Sequence, residues 1–427
     1  MTDGGDTIFA LSSGALPAAI AVVRISGPAA GVTLAALAGR RPEPRRARYV
    51  ALRDPDDGAL IDRALVLWFP GPATATGEDL AEIHCHGSRA VVAALIGWLA
   101  QRPGLRMARG GEFTRRACLN GRMTLAEAEA LGDLLAAETE RERKAALGAA
   151  EGALSGHIRN WQDRLGEAAA AIEAVLDFAE EDQVGDSVSV AARDAIAAVR
   201  DELAAVLSQP AAERLRDGIR VVLCGPPNSG KSSLFNALTM TEGAIVSPRP
   251  GTTRDVIEMP LAIDGLPFLL VDTAGIHETE DDVEVIGIAR ARGAAEAADL
   301  RLWLGGDVSA GGCDLLVDAM CDRPLPRPLA GKACVATSAM TGEGIAELRA
   351  MLVERAAALI PHEDRLAVNA RQRDALSAAL DRLARPDPDL VCLVEAAVAA
   401  SVALGAIDGD VRDDVLDRIF ARFCIGK

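Results

Sequence analysis

"IRVVLCGPPNSGKSSLFNAL", residues 219–238, decides how the chain is read. An apolar run of strand composition enters Gly225-Pro226-Pro227-Asn228-Ser229-Gly230-Lys231-Ser232, and an amphipathic helical pattern follows at once. This is the phosphate-loop pattern G-x-x-x-x-G-K-[ST] in its strand–loop–helix setting. The glycines let backbone N–H groups turn inward around phosphates, and the helix N-terminus adds partial positive charge. Lys231 neutralises the transferable end of a nucleotide, and the Ser232 hydroxyl is positioned for magnesium.

Two more pieces arrive in order. "PGTTRD" (250–255) offers threonines to close over a γ-phosphate and its magnesium. "PFLLVDTAG" (267–275) is an apolar strand ending in Asp272, placed to hold magnesium through water, with the Gly275 N–H facing the γ-phosphate. Phosphate loop, threonine switch and D-T-A-G together specify a GTPase, a doubly wound α/β domain. "VATSAMTGEGIAEL" (335–348) sets a strand before Ser338-Ala339, where GTPases brace guanine. Guanine itself is normally read by Asn-Lys-x-Asp. The candidate here, "LLVDAMCD" (315–322), has Ala319 and Met320 at the Asn and Lys positions and keeps Asp322 as the base-reading carboxylate. An unpaired base N–H costs about 1–3 kcal/mol, so Asp322 preserves discrimination that Ala319 and Met320 weaken. The other reading, a plain loop, stays open.

Working outward, residues 1–118 read as α+β: "AIAVVRISG" (19–27) and "DRALVLWF" (62–69) are strands, "SRAVVAALIGWLA" (88–100) a helix. From about residue 123 to 209 the pattern is helical, with almost no breakers, and similar texture resumes at about 363. Between them, 216–360 alternates strands and helices. The expected organisation is a head over 1–118, a helical domain in two parts (119–215 and 361–427), and a GTPase domain inserted at 216–360, since domain termini often lie close together.

At 427 residues the chain has room for two or three cores. Its net charge of −17 argues against a protein that grips nucleic acid mainly through phosphates. The basic stretch "GRRPEPRRARYV" (39–50) reads as a solvated loop or strand lead-in. No apolar run is expected to reach the roughly eighteen residues of a membrane span, and the start lacks a basic signal-peptide region. The eight cysteines are scattered without paired spacing, which fits a reducing cytoplasm. "FCIGK" (423–427) puts Cys424 where a prenylation box has its cysteine, but Lys427 is not a usual final residue of that signal. A frayed terminus is the plain alternative.

"GPPNSGKSSLFNAL", "GTTRD" and "DTAG" resemble the MnmE (TrmE) family of tRNA-modification GTPases. So do "DTIFAL", "AIAVVRISGP", "TGEDLAEIHCHG", "GEFTRRACLNGR", "LAEAEALGDLL" and the terminal "FCIGK", so the resemblance spans nearly the whole chain. It implies a multidomain α/β protein: an α+β folate-binding and dimerisation head, a discontinuous all-α helical domain and an inserted P-loop GTPase domain. It implies a cytoplasmic homodimer, or a heterotetramer with the flavin-dependent partner MnmG. Together they would add a carboxymethylaminomethyl or aminomethyl group to the wobble uridine of certain tRNAs, with tRNA held mainly by the partner.

Carried over by position, GTP falls to Asn228, Ser229, Gly230, Lys231, Ser232, Ser233, Ser247, Gly251, Thr252, Thr253, Asp272, Thr273, Ala274, Gly275, Asp322, Ser338 and Ala339. The resemblance gives Mg2+ to Ser232 and Thr253, and K+ to Asn228, Ser247, Arg249 and Thr252. Glu284 would position the attacking water, and Cys424 would be needed for modification. A tetrahydrofolate derivative, 5-formyl or methylene, would meet Arg24, Glu82, Arg122 and Lys427. The family usually has lysine at 122, and arginine there is bulkier and forked. His84 and His86 share one strand face beside Cys85, which suggests zinc, but the resemblance assigns the histidines to the cofactor pocket. Two rival functions are a regulatory assembly GTPase and a one-carbon enzyme whose GTPase block has become scaffold.

Overall fold

The computed structural model describes residues 5–177, 184–226, 228–240, 257–272, 296–305, 313–322, 334–362, 365–384 and 389–409, with Gly293, Ile419, Phe420, Phe423 and Gly426. Two compact units emerge, one of residues 1–132 with 405–427 and one of residues 133–404.

In the first unit, period-two burial builds a six-stranded sheet in the order β3-β4-β5-β2-β1-β6. The strands are β1 (Thr7–Leu11), β2 (Ala18–Ser26), β3 (Arg48–Arg53), β4 (Leu60–Phe69), β5 (Leu80–Gly87) and β6 (Leu105–Met107). Only the β1–β6 pair is parallel. Val23 and Ile25 of β2 and Ile83 of β5 are fully buried against Leu34 of α1 (Ala30–Ala38) and Leu95 and Leu99 of α2 (Arg89–Ala100). Each such side chain contributes roughly 1.5–3 kcal/mol relative to exposure. Ser88 caps α2, its hydroxyl accepting from the Ala90 N–H at 3.3 Å. On the other face, Ile8 and Ala10 of β1 are buried with Ala108 and Phe113, while Ile20 and Tyr49 are 60% and 63% exposed. Further helices are α3 (Glu112–Leu119) and α4 (Leu125–Ala136).

The C-terminal residues belong to this unit. Phe420 is buried with Leu125 and Ala128, and Ile419 and Phe423 pack beside them. The approach is close enough that a Cβ on Gly110 would lie 2.7 Å from the Phe423 carbonyl oxygen. Gly426 takes φ +102° and donates no room for a side chain, since its Cβ would meet the Leu11 carbonyl at 2.0 Å. The Ser12 hydroxyl donates to the Gly426 carbonyl at 2.7 Å.

The second unit combines helices with a six-stranded sheet in the order β12-β11-β10-β7-β9-β8. Its strands are β7 (Ile219–Cys224), β8 (Ile257–Ile263), β9 (Leu266–Asp272), β10 (Leu300–Leu304), β11 (Leu315–Asp318) and β12 (Cys334–Ala336). All pairs are parallel except β8–β9. Near-continuous apolar runs make β7 and β9 buried on both faces, as central parallel strands are.

The helical run is less continuous than its periodicity suggests. After α4 it divides into α5 (Glu140–Ala150) and α6 (Ala153–Asp177). Thr139 opens α5 with a capping box: its hydroxyl accepts from the Glu142 N–H at 3.2 Å, and Glu142 accepts from the Thr139 N–H at 2.6 Å. Gly152, at φ +85°, makes the second break. Then come α7 (Val184–Leu207), α8 (Glu213–Asp217), α9 (Lys231–Thr239), α10 (Ile345–Ala357), α11 (Ala370–Leu383) and α12 (Leu390–Asp408). The two helical stretches join across the α/β block through Arg373 of α11, which donates to the carbonyls of Leu207 at 2.6 Å and Gln209 at 2.9 Å. The Leu207 carbonyl is an orphan acceptor at the C-terminal end of α7, and Gln209 follows in the next turn. Among the described residues α12 is long and apolar enough to cross a membrane by length and composition, interrupted by Glu395. Leu393, Ala397, Ala400 and Leu404 bury one stripe of it.

Candidate functional site

The phosphate loop leaves β7 at Cys224. Gly225 has φ +143°, and a Cβ there would strike the Leu304 carbonyl at 2.2 Å, so only glycine lets β7 and β10 pair beneath the loop. Asn228 (φ 61°) and Gly230 (φ 93°) turn the chain into α9. Lys231, 6% exposed, donates through Nζ to the carbonyls of Gly225 at 3.0 Å and Pro226 at 2.8 Å. Burial pushes its pKa down, and the Asp272 charge opposes that shift. Asp272, 2% exposed, ends β9 in register with Leu223 of β7, two residues before the loop. Ser232 and Ser233 are exposed on the first turn of α9. The Ser229 Oγ is buried with no hydrogen-bond partner among the described residues, a donor held in reserve beside Gly225.

The base-reading segment is anchored rather than free. Cys321 N–H donates to the Thr337 carbonyl at 3.1 Å, Thr337 N–H donates to the Asp318 carbonyl at 2.6 Å, and Met320 bridges Ser338. A Cβ on Gly230 would lie 3.2 Å from Met320 Cε and 3.3 Å from Ala319 Cβ, so the two substituted residues pack on the phosphate loop. Asp322 is exposed, and Ser338, fully buried, accepts from the Thr341 N–H at 3.2 Å. Ala339 follows in the same turn.

In the head, Arg24 and Glu82 are register partners on β2 and β5. Arg24 Nη2 and Nε donate to Glu82 Oε1 at 2.8 and 3.1 Å, and the guanidinium lies 5.7 Å from the Phe113 ring centre. His84 Nε2 is 3.3 Å from Glu82 Oε2. Arg122 Nε donates to the Thr74 carbonyl at 3.2 Å, and Thr76 hydrogen-bonds Ser26, on the Arg24 face of β2. Cys85 points to the opposite, buried face, while His86 is exposed and paired with Asp62 at 2.8 Å. The zinc reading therefore lacks its geometry, and the described residues hold no cluster of His, Cys, Asp or Glu suited to a metal.

Ser247, Arg249, Gly251, Thr252, Thr253, Thr273, Ala274, Gly275, Glu284, Cys424 and Lys427 lie outside the described residues. Sequence reasoning missed Ser12, the partner of the tail, which no local signal marks; Ser229 is assigned to GTP from its place inside the loop pattern.

A mostly parallel sheet, a glycine-built phosphate loop with a buried lysine and a carboxylate on the adjoining strand define a P-loop GTPase. Comparison with known proteins fixes the family. The MnmE helical domain matches residues 125–424 and the N-terminus of the GTP-binding protein TrmE matches residues 7–122. A tRNA modification GTPase MnmE from Rhizorhabdus wittichii is 52% identical, covering 99% of this chain and 97% of that protein. Proteins of the same name from Novosphingobium aromaticivorans and Erythrobacter litoralis are each 50% identical, covering 99% of this chain and all of their own. The chain belongs to the MnmE (TrmE) family.

Proposed function

We propose that this protein hydrolyses GTP in order to modify tRNA. With MnmG it adds a carboxymethylaminomethyl or aminomethyl group to the wobble uridine, in the cytoplasm. The observation that carries the reading is Lys231, buried on two carbonyl oxygens beside Asp272. A cation kept on dipoles exchanges those weak acceptors for phosphate oxygens at little cost. Ser229 and the loop N–H groups then complete the cradle.

The exposed Ser232 hydroxyl and buried Asp272 are hard oxygen donors suited to Mg2+, with Thr253 as the further ligand. Asn228, Ser247, Arg249 and Thr252 would hold K+. These ions supply positive charge for the phosphate oxygens as the γ-phosphoryl group transfers. Glu284 orients the attacking water, and Asp322 reads the base while Met320 packs where lysine usually does. The half-buried Arg24–Glu82 pair, with Arg122 and Lys427, suits a ligand carrying both donors and acceptors, as a tetrahydrofolate derivative does. Cys424 serves modification. The exposed Ile20, Tyr49 and Leu65 of the head sheet support a homodimer through that face. The acidic chain leaves most of the tRNA backbone to the partner.

The test is phosphate release with GTP, ATP and XTP, each in potassium and in sodium. GTP-selective turnover accelerated by potassium is expected. Base-indifferent or absent turnover would overturn the reading and favour a folate enzyme on a GTPase scaffold.

A further inference from the structure

In the first unit, α3 ends in a Schellman turn. Gly121, at φ +64°, sends its N–H to the Cys118 carbonyl at 3.0 Å, and the Arg122 N–H reaches the Ala117 carbonyl at 2.8 Å. The turn fixes the backbone of Arg122 at the helix end. Its side chain is held separately, through Nε, which donates to the Thr74 carbonyl at 3.2 Å. The two terminal amino groups have no further hydrogen-bond partner among the described residues.

The accepting carbonyl belongs to a loop, residues 74–78, that has its own supports. Thr74 and Thr76 are buried, as is Ser26 of β2. The Thr74 hydroxyl donates to the Glu78 carbonyl at 2.6 Å, Ser26 and Thr76 share a hydrogen bond at 2.7 Å, and Ser26 donates to Glu78 Oε2 at 2.8 Å. Two side chains from α3 and its cap grip the same loop. Arg116 donates to the Glu78 carboxylate at 3.0 and 3.1 Å. Four residues on, and so on the same face, Asn120 Nδ2 donates to the Thr76 carbonyl at 2.7 Å. Asn120 is exposed, so core packing does not account for that bond. At the loop's tip Gly77 takes φ +79°, and a Cβ there would lie 2.7 Å from Asn120 Cβ and 3.2 Å from Arg122 Cγ.

We propose that Asn120 and Gly77 are positioning residues for Arg122. They fix the direction in which its guanidinium meets a bound tetrahydrofolate derivative, so the role depends on that ligand binding here. An exposed, unheld arginine loses much rotamer freedom when a ligand captures it. Here that freedom is given up during folding. Asn120 holds Thr76, the loop carries the Thr74 carbonyl two residues away, and that carbonyl holds Nε. Tethered at Nε, the guanidinium keeps both terminal amino groups for acceptor oxygens of the ligand. Gly77 leaves the gap through which the Arg122 stem passes. Asn120 acts through the loop and touches no ligand itself.

The test is a double-mutant cycle on the full-length protein, with 5-formyltetrahydrofolate titrated by fluorescence. Asn120→Ala should weaken binding by about three- to tenfold, and Gly77→Ala by about tenfold. In an Arg122→Ala background, itself weakened, each of these changes should add less than about twofold, because nothing remains to be positioned. Amide exchange over residues 74–78 should quicken in Asn120→Ala, while β2 and β5 keep their wild-type protection, which reports that the head is folded. Absence of folate binding by the wild-type chain would remove the folate reading and the positioning role together. Saturable wild-type binding that Asn120→Ala leaves unchanged, or weakens equally with and without Arg122, would remove the positioning role alone.

Discussion

Lys231 in one unit leans on two carbonyl oxygens, whereas Arg24 in the other is clamped to the carboxylate of Glu82. The difference reflects what each site awaits. Carbonyl dipoles occupy the lysine's donors while the Asp272 charge acts on it electrostatically, so a phosphate meets a cation inside a partly dry loop, where Coulomb attraction is strong. The Arg24–Glu82 pair has largely cancelled its charge before any ligand arrives. Its offer is a fixed array of donors and acceptors with little net field, and selection there rests on shape and hydrogen-bond pattern.

The comparison breaks most visibly at the lysine. Lys231→Ala should lower GTP turnover by about 10²–10³, the scale of losing a preorganised donor to a transferring group. Phosphate release measures it, and near-normal turnover would show that the carbonyl-held cation is structural. Arg24→Ala leaves Glu82 half-buried without its ion-pair partner and should weaken 5-formyltetrahydrofolate binding by about ten- to hundredfold, read by fluorescence titration. GTP turnover should be untouched by that change. Unaltered folate affinity would remove the pair from the proposed pocket.

Smaller effects sharpen the picture of the head. Ser12→Ala deletes one hydrogen bond to the tail, worth about 0.5–1.5 kcal/mol, and should speed amide exchange at Phe423 by about two- to tenfold. An unchanged rate would mean that aromatic packing alone retains the tail. The smallest effect near neutrality concerns acid. Burial raises the Asp6 and Glu112 carboxyls, but hydrogen bonds and charge from Arg106 and Arg116 outweigh it and hold both below the usual range. A depressed folded pKa stabilises above the unfolded value, about 4, and that stabilisation is lost as pH falls through the folded values. Exchange protection of β1 should therefore hold from pH 7 to about 4 and fall below it. Asp6→Asn with Glu112→Gln should lower protection at pH 7 and flatten the acid limb.

Much of this was legible in sequence wherever the signal was local. The phosphate loop, the strand before it and Asp272 at a strand end were readable because motif and periodicity coincide. Thr139-x-x-Glu142 was readable too, as a capping box, but uniform helical texture concealed it. Other features depend on which strands become neighbours. Met320 reaches Gly230 only because β11 lies two strands from β7, and no local pattern encodes that distance. Arg24 and Glu82 are 58 residues apart, so resemblance alone could couple them before the β2–β5 register was known.

The tail's seat on the head has a consequence for synthesis. The sheet that receives Gly426 is finished by residue 107, yet the bond from Ser12 spans 414 positions. At about 5–20 residues per second, a ribosome needs on the order of 15–60 s to make the roughly 300 residues in between. Throughout that interval the surface around Leu125, Ala128 and the Gly110–Gly111 turn lacks Phe420 and Phe423. An apolar patch open for so long on a nascent chain is a natural landing place for a ribosome-associated chaperone, and a message cut short before codon 420 would leave it open permanently.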